Sequence, residues 1–283
     1  MKITGAAKLA VVVGWPVAHS RSPVLHGYWL EQYGIDGAYV PLAIDPINLR
    51  RALQTMPMLG FAGCNLTIPH KEEGLRAVDD YDASAKRAGG VNTVVVLPNG
   101  HLMGSSTDGF GFLAALRAQL TGFNAANGPA VVLGAGGAAR AIVAALLDEG
   151  ATEVRLVNRT PERASKLAKE LGGEVRGIKW EDRNQALTGA ALLVNATSLG
   201  MEGQPALELS LEALPTDAIV NDIVYVPLET NLLAAARARG NPCVDGLGML
   251  LHQARPGFEA WFGVKPEVTQ GLRDAVLGTL TKP

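Results

Sequence analysis

Four short polar clusters carry residue types that could bind a small ligand and transfer a proton. They lie where apolar runs stop, at Ser20–Pro23, Asn65–Lys71, Gly90–Thr93 and Thr107–Gly109. Ligands collect at strand ends in open α/β sheets. The clusters combine short hydrogen-bonding side chains with one lysine and one aspartate, and this set suits a small polyhydroxylated acid better than an apolar ligand or nucleic acid.

A second stretch, Ala130–Arg140, has the pattern of a phosphate-binding turn. A buried strand runs into a glycine turn, and an alanine-rich helix follows. Gly134 suits a tight turn, Gly136 lets the backbone approach a pyrophosphate, and Ala139 permits close packing of helix on strand. The helix N-terminus also favours an anion. The predicted cofactor-binding backbone is Gly134, Ala135, Gly136, Gly137 and Ala138. The alternative is a glycine turn without a ligand.

The choice of cofactor depends on the end of the next predicted strand, Asn158-Arg159-Thr160. An acidic residue at this point usually holds a free ribose 2′-hydroxyl, and this chain has none. Arg159 and Arg163, one turn apart, instead suit a 2′-phosphate, because a guanidinium matches its oxygens. Thr160 is placed to cap the helix that starts at Pro161. The pattern predicts NADP, unless both arginines are simply solvated.

The elements that position these residues are predicted from apolar runs. Several runs are continuous instead of alternating, which is typical of strands covered on both faces, as in parallel α/β sheets. The predicted strands are Leu9–Gly14, Ala38–Ile44, Gly60–Thr67, Val91–Leu97, Ala130–Leu133, Glu153–Asn158, Ala191–Asn195, Ala218–Ile223 and Pro242–Asp245.

Two changes of domain are expected. A helix over Phe110–Leu120 begins after Thr107 and Asp108, either of which could cap it. We therefore place the first boundary near Asp108 and the second near Gly246, where the last predicted strand ends. The resulting domains are 1–107 with 246–283, and 108–245.

Bulk properties narrow the class of protein. The 283 residues carry a formal net charge of −2, so no overall field favours nucleic acid or an anionic membrane. The N-terminal apolar run is too short for a signal peptide or a membrane span. Cys64 and Cys243 have no metal-ligand spacing and are expected to be reduced thiols in a cytoplasmic protein. No metal site is predicted.

Several longer motifs occur together from Gly14 to the C-terminal helices, and in this order they resemble the shikimate dehydrogenase family. The motifs are GWPVAHSRSP, NLTIPHK, GGVNT, TDGFGF, LGAGGAAR, NRTPER, NATSLGM, DIVYVPLET and DGLGMLLHQ. The resemblance implies an N-terminal α/β substrate domain and a Rossmann-like NADP domain with a cleft between them. It also implies reversible reduction of 3-dehydroshikimate to shikimate, a step of aromatic amino-acid biosynthesis.

The resemblance further implies roles for particular residues. Ser20 and Ser22 would hold the substrate carboxylate, and Lys71 and Asp108 would form the catalytic pair. The other expected substrate residues are Thr67, Asn92, Tyr225 and Gln253. The residues expected on the nicotinamide side are Thr197, Ser198, Met201, Ile223, Gly246 and Met249.

The sequence departs from the family pattern at one position. The family usually has asparagine where this chain has Ser106, so the hydrogen bond of that amide is not expected here. Some quinate-preferring relatives replace the second serine by threonine, so Ser22 favours shikimate over quinate. A dual quinate/shikimate enzyme and a non-catalytic metabolite sensor are the rivals. His70 is the alternative proton carrier. The oligomeric state is not fixed, and a homodimer is one possibility.

Overall fold

A computed structural model of the chain describes residues 3–280, which form two compact units. The first unit comprises residues 3–107 together with 251–280, and the second is Asp108–Leu250. Each unit is built around one six-stranded sheet. The fold class is therefore α/β, as the sequence predicts.

The first unit alternates strands with helices. Its elements before the chain enters the second unit are β1 (Lys8–Gly14), α1 (Ser22–Gln32), β2 (Gly37–Ala43), α2 (Leu49–Thr55), β3 (Phe61–Leu66), α3 (Lys71–Ala77), β4 (Asp80–Tyr81), α4 (Ala83–Ala88), β5 (Thr93–Val96) and β6 (Leu102–Ser105). The strand order is β2-β1-β3-β5-β6-β4. This sheet is mixed, because β5 runs antiparallel to both β3 and β6.

The second unit and the returning chain follow the same α/β alternation. The elements are α5 (Asp108–Gln119), β7 (Ala130–Leu133), α6 (Gly137–Asp148), β8 (Val154–Asn158), α7 (Pro161–Leu171), β9 (Val175–Lys179), β10 (Leu192–Asn195), β11 (Ile219–Asp222), α8 (Asn231–Ala238), β12 (Cys243–Val244), α9 (Gly246–Phe262) and α10 (Gln270–Leu277). The strand order of this sheet is β12-β11-β10-β7-β8-β9. Each pair of neighbouring strands is parallel.

The strand β7 shows why the apolar runs are continuous. Ala130 and Val132 pack into one core, while Val131 and Leu133 pack into the core on the opposite face. All four residues are buried, so the strand has no solvent face that a polar residue could occupy. The predicted parallel sheet is confirmed for this unit.

Three strands were not predicted from the sequence, because none of them contains a continuous run of apolar residues. β4 has only two residues, and both are exposed. β6 contains Gly104, and glycine weakens a strand pattern. β9 is an edge strand with exposed positions at Arg176, Gly177 and Lys179.

The second boundary falls inside α9, after Leu250, instead of at Gly246. The first turn of this helix packs within the second unit, because a Cβ on Gly248 would lie 3.0 Å from the Ala115 side chain of α5. Met249 also belongs to the core that contains β7. Later residues of α9 pack in the first unit, where the Trp261 indole donates to the Val94 carbonyl at 2.9 Å.

Candidate active site

The predicted substrate residues of the first unit converge on one edge of its sheet. β1 and β3 run in parallel and end at this edge, so Thr67 lies just beyond the end of β3. β5 is antiparallel to β3, with Thr93 opposite Asn65, so Asn92 lies at the same edge. β6 ends there too, since Thr93 is also paired with Ser105. The mixed topology therefore brings four separate segments together.

Asn92 is the centre of a buried hydrogen-bond network at this edge. Its Oδ1 accepts from the Thr107 backbone N–H at 2.9 Å, from the Thr107 hydroxyl at 3.1 Å and from the Thr93 hydroxyl at 2.9 Å. The Asn92 side chain is only 4% exposed. The three bonds fix the orientation of the amide group, whose Nδ2 is the side-chain donor of Asn92.

Two further residues extend the network. From the sequence, Asn65 is named only as the start of a polar cluster, and Tyr39 is not named. Asn65 donates through Nδ2 to the Asn92 carbonyl at 3.0 Å and to the Thr93 hydroxyl at 3.2 Å. The buried Tyr39 hydroxyl donates to Asn65 Oδ1 at 2.6 Å. Asn65 is a polar residue inside an otherwise apolar strand, and that exception is the sequence signal that could have identified it.

Lys71 is the first residue of α3 and is partly buried. Its carbonyl accepts from the Val91 backbone N–H at 2.8 Å. Gly90 makes this close approach possible, because a Cβ there would lie 3.1 Å from the Lys71 oxygen. The turn that carries Asn92 thus fixes the main chain of Lys71.

Ser20 lies in the turn after β1, and Ser22 is the first residue of α1. The Ser22 backbone N–H donates to Ser20 Oγ at 3.3 Å, which holds the serines near one another. Gln253 is partly buried on α9 and belongs to the first unit. Asp108, the first residue of α5, is buried at 3% exposure, and Tyr225 is partly buried in the loop after β11; both belong to the second unit.

The side-chain cap predicted for α7 is not formed, and the threonine before α5 bonds to another residue. The Thr107 hydroxyl donates to Asn92, and Thr160 occupies the N-cap position of α7 without a capping hydrogen bond. The threonine hydroxyls can satisfy other partners at strand ends, which explains why the residue type alone did not settle the geometry.

His70 is buried beside Lys71 and is held by the main chain. Burial lowers its pKa, and contacts with the Ile44 and Gly14 backbone and the charge of Asp45 oppose this effect. The main chain therefore fixes the position of the imidazole, while its Nε2 atom is buried without a hydrogen-bond partner among the described residues.

The glycine turn of the second unit fits the backbone of a dinucleotide. Gly134 has a φ of +107°, and a Cβ there would lie 3.0 Å from the Ala196 carbonyl oxygen. Gly136 and Gly137 are exposed, and no atom lies within 4 Å of the Cβ position of either. Ala139 is fully buried where α6 approaches the sheet. The turn therefore leaves open space beside the start of α6, where a phosphate would meet backbone N–H groups.

Arg159 and Arg163 lie beside the end of β8, the strand next to β7. Both are exposed, and neither forms an ion pair with another residue in the range 3–280. The Asn158 amide donates to the Thr160 carbonyl at 2.9 Å and shapes the turn between the arginines and the strand. Two exposed guanidinium groups without an ion-pair partner in the described part of the chain fit an anionic group such as the 2′-phosphate of NADP.

The loops after β10 and β11 and the first turn of α9 carry the other predicted cofactor residues. Gly246 is required where α9 begins beside the loop after β11, because a Cβ there would lie 2.2 Å from the Ile223 carbonyl oxygen. Met249 is buried, whereas Met201 is 41% exposed. Thr197 and Ile223 are partly buried and Ser198 is exposed.

A cavity of about 670 Å³ lies near the N-terminal residues of the strands in the second sheet, at the end opposite to the glycine turn. Its lining includes Thr121, Asn124 and Asp217 but none of the predicted site residues.

Within residues 3–280, no group of His, Cys, Asp and Glu side chains is arranged to bind a metal ion. No helix in this range is long and apolar enough to cross a membrane.

The two sites define an α/β oxidoreductase that uses a dinucleotide cofactor, and comparison with known families agrees. Residues 12–94 match the shikimate dehydrogenase substrate binding domain. Residues 116–201 match the shikimate/quinate 5-dehydrogenase family, and residues 246–277 match the shikimate 5′-dehydrogenase C-terminal domain.

Full-length relatives are closely similar. The chain is 59% identical over 275 residues to a shikimate dehydrogenase (NADP(+)) from Paramagnetospirillum magneticum, which covers 97% of this chain and 100% of the relative. The chain belongs to the shikimate dehydrogenase family.

Solved structures of relatives share the fold. The shikimate 5-dehydrogenase of Thermus thermophilus in complex with NADP(H) and shikimate has a TM-score of 0.84 and 40% identity, covering 96% of this chain and 99% of that chain. A quinate dehydrogenase of Corynebacterium glutamicum in complex with NAD has a TM-score of 0.89 and 31% identity, covering 96% and 99%.

Proposed function

We propose that this enzyme reversibly reduces 3-dehydroshikimate to shikimate with NADPH. The observation that carries the proposal is the polar edge of the first sheet, where the hydroxyl and amide groups of Thr93, Asn92 and Thr107 form one network beside the main chain of Lys71. Relatives from three bacteria at 58–59% identity are named shikimate dehydrogenase (NADP(+)). The shikimate pathway of aromatic amino-acid biosynthesis is the metabolic setting.

We assign substrate recognition to residues of this edge together with one residue of α9 and one residue of the second unit. The hydroxyls of Ser20 and Ser22 donate to the substrate carboxylate, since each hydroxyl offers one donor. Thr67 and Asn92 Nδ2 bind the ring hydroxyls. Gln253 and Tyr225 complete the proposed set of substrate residues.

We assign the chemical step to Lys71 and Asp108. Bound NADPH supplies the hydride to the ring carbonyl. Lys71 donates or relays a proton to the carbonyl oxygen and stabilises the negative charge that develops on that oxygen. Asp108 is the second residue of the proposed catalytic pair and orients a substrate hydroxyl. Retention of both residues supports an enzyme over a non-catalytic sensor.

We assign cofactor binding to the second unit. The backbone over 134–138 surrounds the pyrophosphate, and Arg159 and Arg163 bind the 2′-phosphate, with Asn158 and Thr160 shaping the turn beside them. The nicotinamide side is lined by Thr197, Ser198, Met201, Ile223, Gly246 and Met249.

An assay of NADPH oxidation tests the proposal. Purified enzyme is expected to oxidise NADPH with 3-dehydroshikimate much faster than with dehydroquinate, and faster than it oxidises NADH with either acid. Comparable rates with both acids would instead support the dual quinate/shikimate enzyme. Absence of oxidation with both acids would overturn the proposal.

The enzyme is further proposed to act in the cytoplasm on small molecules. Cys64 and Cys243 are free thiols, as expected in a reducing compartment. A net charge of −2 gives no overall attraction to nucleic acid. A homodimer would sediment with twice the chain mass of 29.6 kDa.

A further inference from the structure

Asp222 is a buried carboxylate at the end of β11, only 1% exposed. It lies directly opposite Asn195, the last residue of the neighbouring parallel strand β10. Both residues therefore lie at the sheet edge from which the proposed cofactor loops leave. Neither has a role in the proposed chemistry.

The Asp222 carboxylate accepts three hydrogen bonds from three different segments. Oδ1 accepts from Asn195 Nδ2 and from the Val224 backbone N–H, both at 3.0 Å. Oδ2 accepts from the Thr230 hydroxyl at 2.7 Å. The carboxylate thus ties the end of β10 to both ends of the loop that runs from β11 to α8.

Asn195 passes the same restraint into the loop after β10. Its Oδ1 accepts from the Thr197 hydroxyl at 2.7 Å and from the Thr197 backbone N–H at 3.1 Å. Its Nδ2 also donates to the Leu199 carbonyl at 3.1 Å. The Thr197 hydroxyl in turn accepts from the Leu199 N–H at 3.0 Å. Every polar atom of the Asn195 side chain is therefore used to shape this loop.

A buried carboxylate is a costly way to join two loops if stability is the only need. Replacing buried ionic groups with well-packed apolar residues is often neutral or stabilising. What an apolar residue could not do is accept from three donors and so fix the direction of the chain on both sides. The two loops that it fixes carry Thr197, Ser198, Ile223 and Tyr225.

We propose that Asp222 is a positioning residue that holds the nicotinamide half of the cofactor site, through Asn195 and Thr230, without contacting the cofactor. The inference rests on the proposed function, because it assumes that these loops line the nicotinamide. The glycine turn and Arg159, which bind the phosphates in that proposal, have no hydrogen bond to Asp222. Loss of the network is therefore expected to affect one half of the cofactor only.

The test compares two ligands, NADP and adenosine 2′,5′-bisphosphate, which lacks the nicotinamide. Thr230→Val removes the hydroxyl that donates to Asp222, and Thr230→Ser keeps it. Asp222→Asn is the second variant, in which one acceptor oxygen becomes a donor. We expect Thr230→Val and Asp222→Asn to weaken NADP binding about tenfold, the scale of one charge-assisted hydrogen bond, and to leave the bisphosphate unaffected. Thr230→Ser should restore NADP binding.

A matched control separates this effect from a lost helix cap. Thr230 caps α8 through the Leu233 N–H, and Thr269 caps α10 through the Leu272 N–H at 3.2 Å. Both helices have eight residues. Thr269→Val should lower the thermal stability by a similar amount, because it removes an equivalent capping bond, but leave NADP binding unchanged.

Three results overturn the inference: unchanged NADP binding in Thr230→Val, an equal loss for both ligands, or the same loss in Thr269→Val. Should Asp222→Asn not fold, the three threonine variants still decide. Failure of the wild-type enzyme to bind NADP would be a different outcome, which overturns the proposed function itself.

Discussion

The polar edge of the first sheet around Asn92, here named the substrate edge for its proposed role, holds its functional groups rigidly. Arg159 and Arg163, the arginine pair of the second unit, are held loosely. At the substrate edge, the Asn92 side chain is buried and its oxygen already accepts three hydrogen bonds. Arg159 and Arg163 are exposed and have no ion-pair partner within residues 3–280.

The difference follows from the chemistry each site has to perform. A reacting carbon must be held within a few tenths of an ångström, which requires side chains that are locked by their neighbours. A phosphate that only identifies the cofactor can be bound by flexible cations from the surface, because its charge attracts them over a longer range. We therefore expect damage at the substrate edge to affect turnover and stability, and damage at the arginines to affect affinity alone.

The largest effect is expected from Lys71→Ala. The turnover number should fall by about 10²–10⁴-fold, the usual range for loss of a positioned acid or base. The Michaelis constant for substrate should change much less, because Ser20, Ser22 and Asn92 remain as anchors. Steady-state kinetics in both directions measure the two constants separately.

The variant Lys86→Ala, at an exposed position on α4, is the control for loss of one positive charge. Asp108→Asn should show a related turnover defect, and the double variant with Lys71→Ala should be far less than additively impaired if the pair acts as a unit. Near-normal turnover with a raised substrate Michaelis constant would make Lys71 a binding residue.

A combined loss of stability and binding is expected from Asn92→Ala. The Thr107 backbone N–H would lose its acceptor while buried, which costs about 1–3 kcal/mol in the free energy of unfolding. Asn92→Asp keeps Oδ1 as an acceptor, so it should be less destabilising while still losing the amide donor. Denaturant unfolding and the substrate Michaelis constant measure the two effects. Asn99→Ala, in an exposed turn, is the control for loss of an asparagine side chain. If Asn92→Ala were as stable as the wild type, the buried hydrogen-bond network would not contribute to stability as expected.

Much of the fold follows from hydrophobic periodicity in the sequence. β7 was predicted with its observed ends, because all four residues are buried and the following glycine breaks the run. The antiparallel course of β5 and β6 was not predicted, since pairing direction depends on partners distant in the sequence. β6 itself was missed because its four residues include a glycine and alternate in burial.

The candidate site was predictable where a residue type and a strand end coincide. Lys71 and the glycine turn could be named from the sequence because their motifs carry a physical reason. Asp222 was quoted only within a motif, and its role could not be inferred, because its partners Asn195 and Thr230 are distant in the chain and meet it only in the folded sheet. Hydrogen-bond partners of this kind become visible only with coordinates.

The most selective effect is expected from Arg159→Ala, which should alter the affinity for one cofactor and nothing else. A charge-assisted bond to the 2′-phosphate is worth about 1.5–3 kcal/mol, so the dissociation constant for NADP should rise about tenfold or more. Binding of NAD, which lacks this phosphate, should change little. Thermal stability should be unchanged, because the guanidinium is exposed and has no ion-pair partner within residues 3–280. Titration of each cofactor and thermal unfolding measure these quantities.

Lys169→Ala removes an exposed positive charge near the other end of α7 and is the matched control. If general attraction of the anionic cofactor to this surface were the cause, both variants would lose affinity for NADP, and the loss would shrink with added salt in the same way. If Arg159 binds the phosphate directly, only Arg159→Ala loses the preference for NADP over NAD. Equal losses of NADP and NAD binding in Arg159→Ala would show that this arginine does not bind the 2′-phosphate. The proposed difference between a rigid substrate edge and a flexible phosphate site would then be wrong.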